Sequence, residues 1–146
     1  MAGLSDYAEN KIIDWLLRGQ AYTPPATVYV ALLTASTNDA GSPFTEVSGG
    51  SYARVAVTSN TTNWSGTQGA GTTTVSSGTG GAISNNAAIT FPAPTANWGT
   101  VVHAALMDAS TGGNIIADGA LGTSKTVNNG DPAPAFAAGQ LTFTIG

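Results

Sequence analysis

Thr27 to Thr34, TVYVALLT, is the stretch whose reading decides the fold. Its β-branched and aromatic residues favour an extended chain. Its alternation leaves apolar side chains on both sides, which marks an interior strand rather than one with a wet face. Upstream, Thr23-Pro24-Pro25 forces an extended linker. Downstream, residues 36–50 form a loop rich in Asn, Asp, Gly and Ser. Tyr52 to Ser59, YARVAVTS, then reads as a second strand, with Ala53, Val55 and Val57 on one side and Tyr52, Arg54 and Ala56 on the other. Further β-rich runs follow at 87–91, 100–107, 114–120, 125–127 and 140–145. Asn97-Trp98-Gly99, Thr111-Gly112-Gly113 and Asn129-Gly130-Asp131 supply turn residues that tolerate positive φ. The expectation is one mainly β domain over 1–146, an antiparallel β-sandwich or jelly-roll-like fold of seven or eight strands.

Two segments depart from that pattern. Residues 4–18 read as an amphipathic helix, with Leu4, Tyr7, Ala8, Ile12, Trp15 and Leu16 on one face. Asp6 followed by Glu9 resembles a capping box with Asp6 as the cap, and Gly19 suits the left-handed residue that ends a helix. Ile13 and Leu17 lie off the main stripe: they belong either to the edge of a broad core face or to a contact with a neighbouring subunit. Residues 60–86 form an uncharged arm rich in Gly, Ser and Thr, either a mobile surface loop or a polar hairpin ordered by a partner. Its one large side chain, Trp64, either folds back on the domain or serves as an exposed contact; with Asn63 and Gln68 it is a candidate partner contact.

Composition narrows the function. Charged residues make up 8% of the 146 positions, against about 25% in an ordinary soluble domain. Polarity comes instead from 12 serines, 21 threonines and the backbone of 19 glycines. The net charge is −4, and Lys11, Arg18, Arg54 and Lys125 are scattered, so no phosphate-binding patch forms and nucleic acid is not an expected partner. The absence of cysteine excludes disulfides, zinc-thiolate sites and thiol nucleophiles. No apolar run reaches the roughly 18 residues of a membrane span, and the N-terminal stretch, with Asp6 and Glu9, lacks the basic start of a signal peptide.

Catalytic chemistry finds little purchase. His103 is the only imidazole, set in VVHAALM in the manner of a strand histidine satisfied by a neighbour. There is no Gly-x-Ser-x-Gly elbow, and the glycine-rich stretches lack the lysine of a phosphate loop. Asp108, Asp118 and Asp131 fall near turns, where aspartate commonly bonds its own backbone. A calcium site at Asn128, Asn129 and Asp131 lacks EF-hand spacing. Asn60 and Asn63 begin glycosylation sequons that carry little weight without a secretion signal. Arg54, the one charge inside an expected strand, is either half of an ion pair across a subunit interface or an arginine lying along the solvent face. No catalytic residue, metal or cofactor is expected.

Several stretches taken in order, LSDYAENKIIDWLLRG (4–19), ATVYVALLTA (26–35), TEVSGGSYARVAV (45–57), ITFP (89–92), WGTVVH (98–103), GALGTSKTVNNGD (119–131) and AAGQLTFTI (137–145), resemble a family of small virion proteins of tailed bacteriophages. Members are labelled tail fibre proteins, and some look like head-decoration or cement proteins. The sequence departs from the family at 104–108, where AALMD stands in place of an aromatic run ending in the same aspartate. The resemblance implies a non-enzymatic virion protein, assembled in the bacterial host cytoplasm, that contacts copies of itself as a dimer or trimer and other virion proteins such as the major capsid protein. A short domain with one loose arm, without heptads or repeats, favours capsid decoration. The alternative is a tail fibre or tail-tip component that touches the host surface, with Trp64, Trp98 and Tyr29 as carbohydrate-stacking platforms.

Overall fold

The computed structural model describes residues 3–35, 43–67 and 75–145. The fold is mainly β and antiparallel, with one helix near the N-terminus and no closed barrel among the described residues. TVYVALLT lies within β2 (Thr27–Ala35), which is interior to the largest sheet. On one side it pairs along its length with β8 (Gly99–Met107). On the other it meets two short strands in turn, β4 (Val55–Thr58) and β3 (Thr45–Glu46). The sheet continues from β8 to β9 (Ile115–Val127), and β1 (Gly3–Leu4) pairs with β9 at Ala117 and Asp118.

Period-two alternation divides β2 as its sequence requires. Val30 and Leu32 enter the main core, while Ala31 and Leu33 join Ala105, Met107 and Ile115 in a second cluster. The main core is completed by two smaller sheets. One is β5 (Trp64–Ser65), β6 (Ala82–Asn85) and β11 (Thr142–Thr144); the other is β7 (Ile89–Thr90) with β10 (Ala135–Phe136). Trp64, Ile89, Phe91, Trp98, Leu141 and Phe143 pack there with the side chains of β2, β8 and β9. Tyr52, Phe91 and Phe136 extend the cluster by stacked and edge-on ring contacts, with centroids 6.2 and 6.3 Å apart.

Several expectations are corrected. Helix α1 runs Asp6–Leu17, because Gly3 and Leu4 are drawn into the sheet as β1. Its cap is Ser5, not Asp6: the Ser5 hydroxyl accepts the Ala8 N–H and donates to the Ile115 carbonyl. Gly19 does end the helix at φ +64°. The second strand starts at Val55 rather than Tyr52, after a turn in which Gly49, Gly50 and Ser51 all have positive φ. The runs at 114–120 and 125–127 are one strand, β9.

The arm at 60–86 is not loose at its base. Trp64 pairs with Asn85 and Ser65 with Ser84, and β11 extends this hairpin. The Asn85 side chain, 1% exposed, donates to the carbonyls of Ala87 and Ala137 and accepts the Leu141 N–H, tying the hairpin to the C-terminal strand. The base of the arm, at Trp64, Ser65 and Asn85, is therefore core and is held from within the chain, while residues 68–74 lie outside the described residues.

Candidate functional site

The charged side chains are held mainly by their own chain. Arg54 is 4% exposed in its side chain and grips Glu46 bidentately, Nε to Oε1 at 2.8 Å and Nη2 to Oε2 at 2.7 Å. Its Nη1 donates to the carbonyls of Ala109 at 2.6 Å and Gly112 at 2.8 Å, pinning the β8–β9 turn. The Tyr52 hydroxyl donates to Glu46 Oε1 at 2.8 Å and accepts the Leu32 N–H at 2.9 Å. That N–H lies where β2 passes from its partner β4 to its partner β3, so the hydroxyl fills a gap in the ladder. Burial, and then the Glu46 carboxylate, push the Tyr52 hydroxyl far above its ordinary range, so it remains a neutral donor. The hydrogen bonds to Glu46 also raise the Arg54 guanidinium above its ordinary value. Of the two readings of Arg54, an intersubunit pair or a solvent-lying side chain, the structure shows neither: the ion pair is internal.

The other polar candidates resolve in the same way. His103 Nδ1 lies 3.2 Å from Asp118 Oδ2 on the neighbouring strand. The Asp108 carboxylate accepts the backbone N–H and side-chain amide of Asn114 at 2.7 and 2.8 Å. Burial alone would raise the Asp108 carboxyl, but these bonds, with one from the Tyr7 hydroxyl, outweigh it and hold it below its ordinary value. A Cβ at Gly113, φ +72°, would stand against Asp108 Oδ1, so this turn requires glycine twice over. Asp131 accepts the Asn128 N–H within its own turn. Among the described residues no three His, Asp or Glu side chains gather in a way that would hold a metal.

The arm candidates divide. Trp64 is buried, and so is Trp98, whose indole N–H donates to the Gly50 carbonyl. Tyr29 is half-buried against the second cluster. Neither tryptophan offers a ring to a sugar, which removes two of the three proposed stacking platforms. Asn63 is half-buried, its amide donating to the Thr58 carbonyl and its N–H to Asn60 Oδ1. Gln68 lies outside the described residues.

Helix α1 is the opposite case. It is fixed at its N-terminal end by Ser5, the buried Ala8 and the β1 ladder. Beyond that, Ile13 (49%), Trp15 (58%), Leu16 (65%) and Leu17 (76%) are exposed together. Ile13 and Leu17 thus stand in solvent rather than at the edge of the core, and Trp15 and Leu16, read above as core, stand there with them. The signal was present: in the run IIDWLL every residue but Asp14 is apolar, wider than a single stripe can bury. The Asp14–Arg18 pair beside them, at 2.6 Å, is solvent-exposed and contributes little.

A groove of about 940 Å³ opens elsewhere, between the far half of β9 and the strands β10 and β11. Leu32 and Ala104 form part of its floor; Leu121, Phe136 and Leu141 line its walls. No residue of α1 borders it. The outer edge of β9 beyond Asp118 has no strand partner among the described residues, so one flank is open backbone and hydroxyls. No helix among the described residues is long and apolar enough to cross a membrane.

The paired charges lie inside, and an apolar helix end and a groove of mixed lining lie outside. No curated protein matches the chain. The sequence model of one family, described as Podophage GP4 fiber I protein gp80, matches residues 3–144. That match takes in every strand and the helix, and the chain belongs to this phage fibre family.

Proposed function

We propose that this chain is a structural component of a bacteriophage tail fibre, acting by contact with other virion proteins and not by catalysis. The observation that carries this reading is the family match from residue 3 to residue 144, whose description names a fibre and no head protein. It moves the weight from capsid decoration to the tail. The internal pairing of Arg54, Glu46, His103 and Asp118 supports a structural role, since these groups already have partners.

The test is a census and a location. Purified virions are analysed by quantitative mass spectrometry against the major capsid protein, and gold-labelled antibody to this chain is imaged on the particles. A copy number far below that of the capsid protein, with label at the tail, is expected. A copy number near that of the capsid protein, with label over the head, overturns the fibre placement in favour of decoration. Absence from the particle overturns both.

A further inference from the structure

We propose that two copies of this chain exchange their N-terminal segments, β1 with α1 of each docking on β9 of the other. The inference goes beyond the fibre placement, because a fibre protein can be anchored wholly through other virion proteins without touching its own kind.

Three observations carry it. First, the surface that receives the segment already shows what fits it. Gly3 and Leu4 pair with Asp118 and Ala117 of β9. The Ser5 N–H donates to the Ile116 carbonyl at 3.0 Å, and its hydroxyl to the Ile115 carbonyl. The Tyr7 hydroxyl donates to Asp108 in the β8–β9 turn. Among the described residues, every hydrogen bond from the segment 3–17 to the rest of the chain starts from residues 3–7. Ala8 is the one buried residue of α1. The segment of a second copy carries the same residues, so exchange keeps each of these contacts.

Second, the connection to β2 suits a chain that crosses between bodies. Residues 18–26 separate α1 from β2, and all but Tyr22 and Pro25 are exposed. From Ala21 to Pro25 no hydrogen bond among the described residues ties this linker down. Pro24 and Pro25 hold it extended. Nine extended residues reach about 30 Å, about twice the radius of gyration of a domain of this length, ~15 Å. Third, the apolar end of α1 stands where the linker leaves it. Leu16 and Leu17 are 65% and 76% exposed there, with Ile13 and Trp15 beside them. In the exchanged pair both linkers cross between the bodies, and this end lies at the crossing against the second copy instead of in water. Reciprocal exchange fills both docking surfaces and closes at two copies.

The chain has no cysteine, so an introduced pair reports which chain supplies the segment. Gly3→Cys is placed on one chain and Asp118→Cys on another. Gly3 is exposed, and a Cβ there meets nothing within 4 Å. Opposed residues of an antiparallel ladder lie about 4.5–5.5 Å apart, a span that a disulfide bridges. In a mixture of the two variants, a bond between positions 3 and 118 joins two chains. They are unfolded together in urea and refolded over a concentration series in glutathione buffer, then read by non-reducing electrophoresis and peptide mass mapping. A covalent 1:1 pair bonded from position 3 to position 118 is expected, its share rising with concentration. The wild-type chain should show a matching monomer–dimer equilibrium by analytical ultracentrifugation. A single chain carrying both substitutions should form the bond within itself at high dilution. Leu4→Cys with Ala117→Cys reads the adjacent pair if Asp118→Cys, which costs His103 its partner, fails to fold. Absence of the interchain bond at every concentration overturns the proposal, as does a wild-type dimer whose variants never form it, the mark of docking without exchange. A wild-type chain that stays monomeric throughout also overturns it, and leaves the fibre placement to the virion census.

Discussion

The knot around Arg54 and the far end of α1 invert the usual arrangement of a soluble domain. At the knot, a guanidinium and a carboxylate lie inside the protein, the arginine with four hydrogen bonds to protein acceptors. At the helix end, a tryptophan and two leucines, each more than half exposed, stand in solvent. Buried charges are tolerated where every donor finds an acceptor. Exposed apolar runs are tolerated where a partner covers them. The difference separates a part of the molecule that folding finishes from a part that folding leaves in solvent.

The largest effect is expected at the knot. Arg54→Ala leaves the Glu46 carboxylate without its cation and frees the carbonyls of Ala109 and Gly112 from their donor. Breaking a buried pair on one side costs about 3–5 kcal/mol, and the partial exposure of Glu46, 19% in its side chain, places this case near the lower end. Urea denaturation of the purified chain should show it as a fall in midpoint. A loss under about 1 kcal/mol, the range of exposed pairs, would mean that the pair behaves as a surface pair and that the contrast with the helix is false. Tyr52→Phe is the next step down. It keeps the ring against Phe91 and Trp98 but strips the Leu32 N–H of its acceptor. An unsatisfied buried donor costs about 1–3 kcal/mol. Hydrogen exchange at Leu32 should accelerate more than at Val30, whose strand neighbour β4 is untouched.

The same contrast explains what the sequence made legible. β2 and β8 are long, β-branched and apolar on both sides, so periodicity places them within a residue of their ends. The strands β1, β3 and β10 have two residues each. Two residues carry no period; they are strands only because a distant ladder receives them. Tyr52 and Arg54 were assigned to one side of a strand that begins only at Val55, yet both reach Glu46. That carboxylate is eight residues before Arg54, across a turn whose geometry depends on three consecutive positive φ values. The scarcity of charge kept a paired arginine level with a solvent-lying one, and nothing local named its partner within the chain. Trp64 was legible as an anchor and illegible as a strand residue, because its partner Asn85 lies beyond a stretch of Gly, Ser and Thr with no pattern. For α1, the apolar spacing gave the helix and its stop at Gly19. It did not show that the sheet holds only the first turn, which depends on Gly3 and Leu4 pairing with β9.

The smallest effect sharpens the comparison from the other side. Leu17 is 76% exposed in the last turn of α1. Leu17→Ser removes apolar surface already in water and lowers helix propensity by a few tenths of a kcal/mol. Substitutions away from packing, caps and buried polar groups usually stay within about 0.5 kcal/mol. The thermal midpoint of the chain, measured dilute enough to be monomeric, should therefore barely move, while its solubility in ammonium sulfate should rise as the apolar patch shrinks. A loss of more than about 1 kcal/mol would place this variant among those that disturb a packed or capped position. Leu17 would then be packed on its own domain in solution, and the helix end would belong with the Arg54 knot among the parts that folding completes.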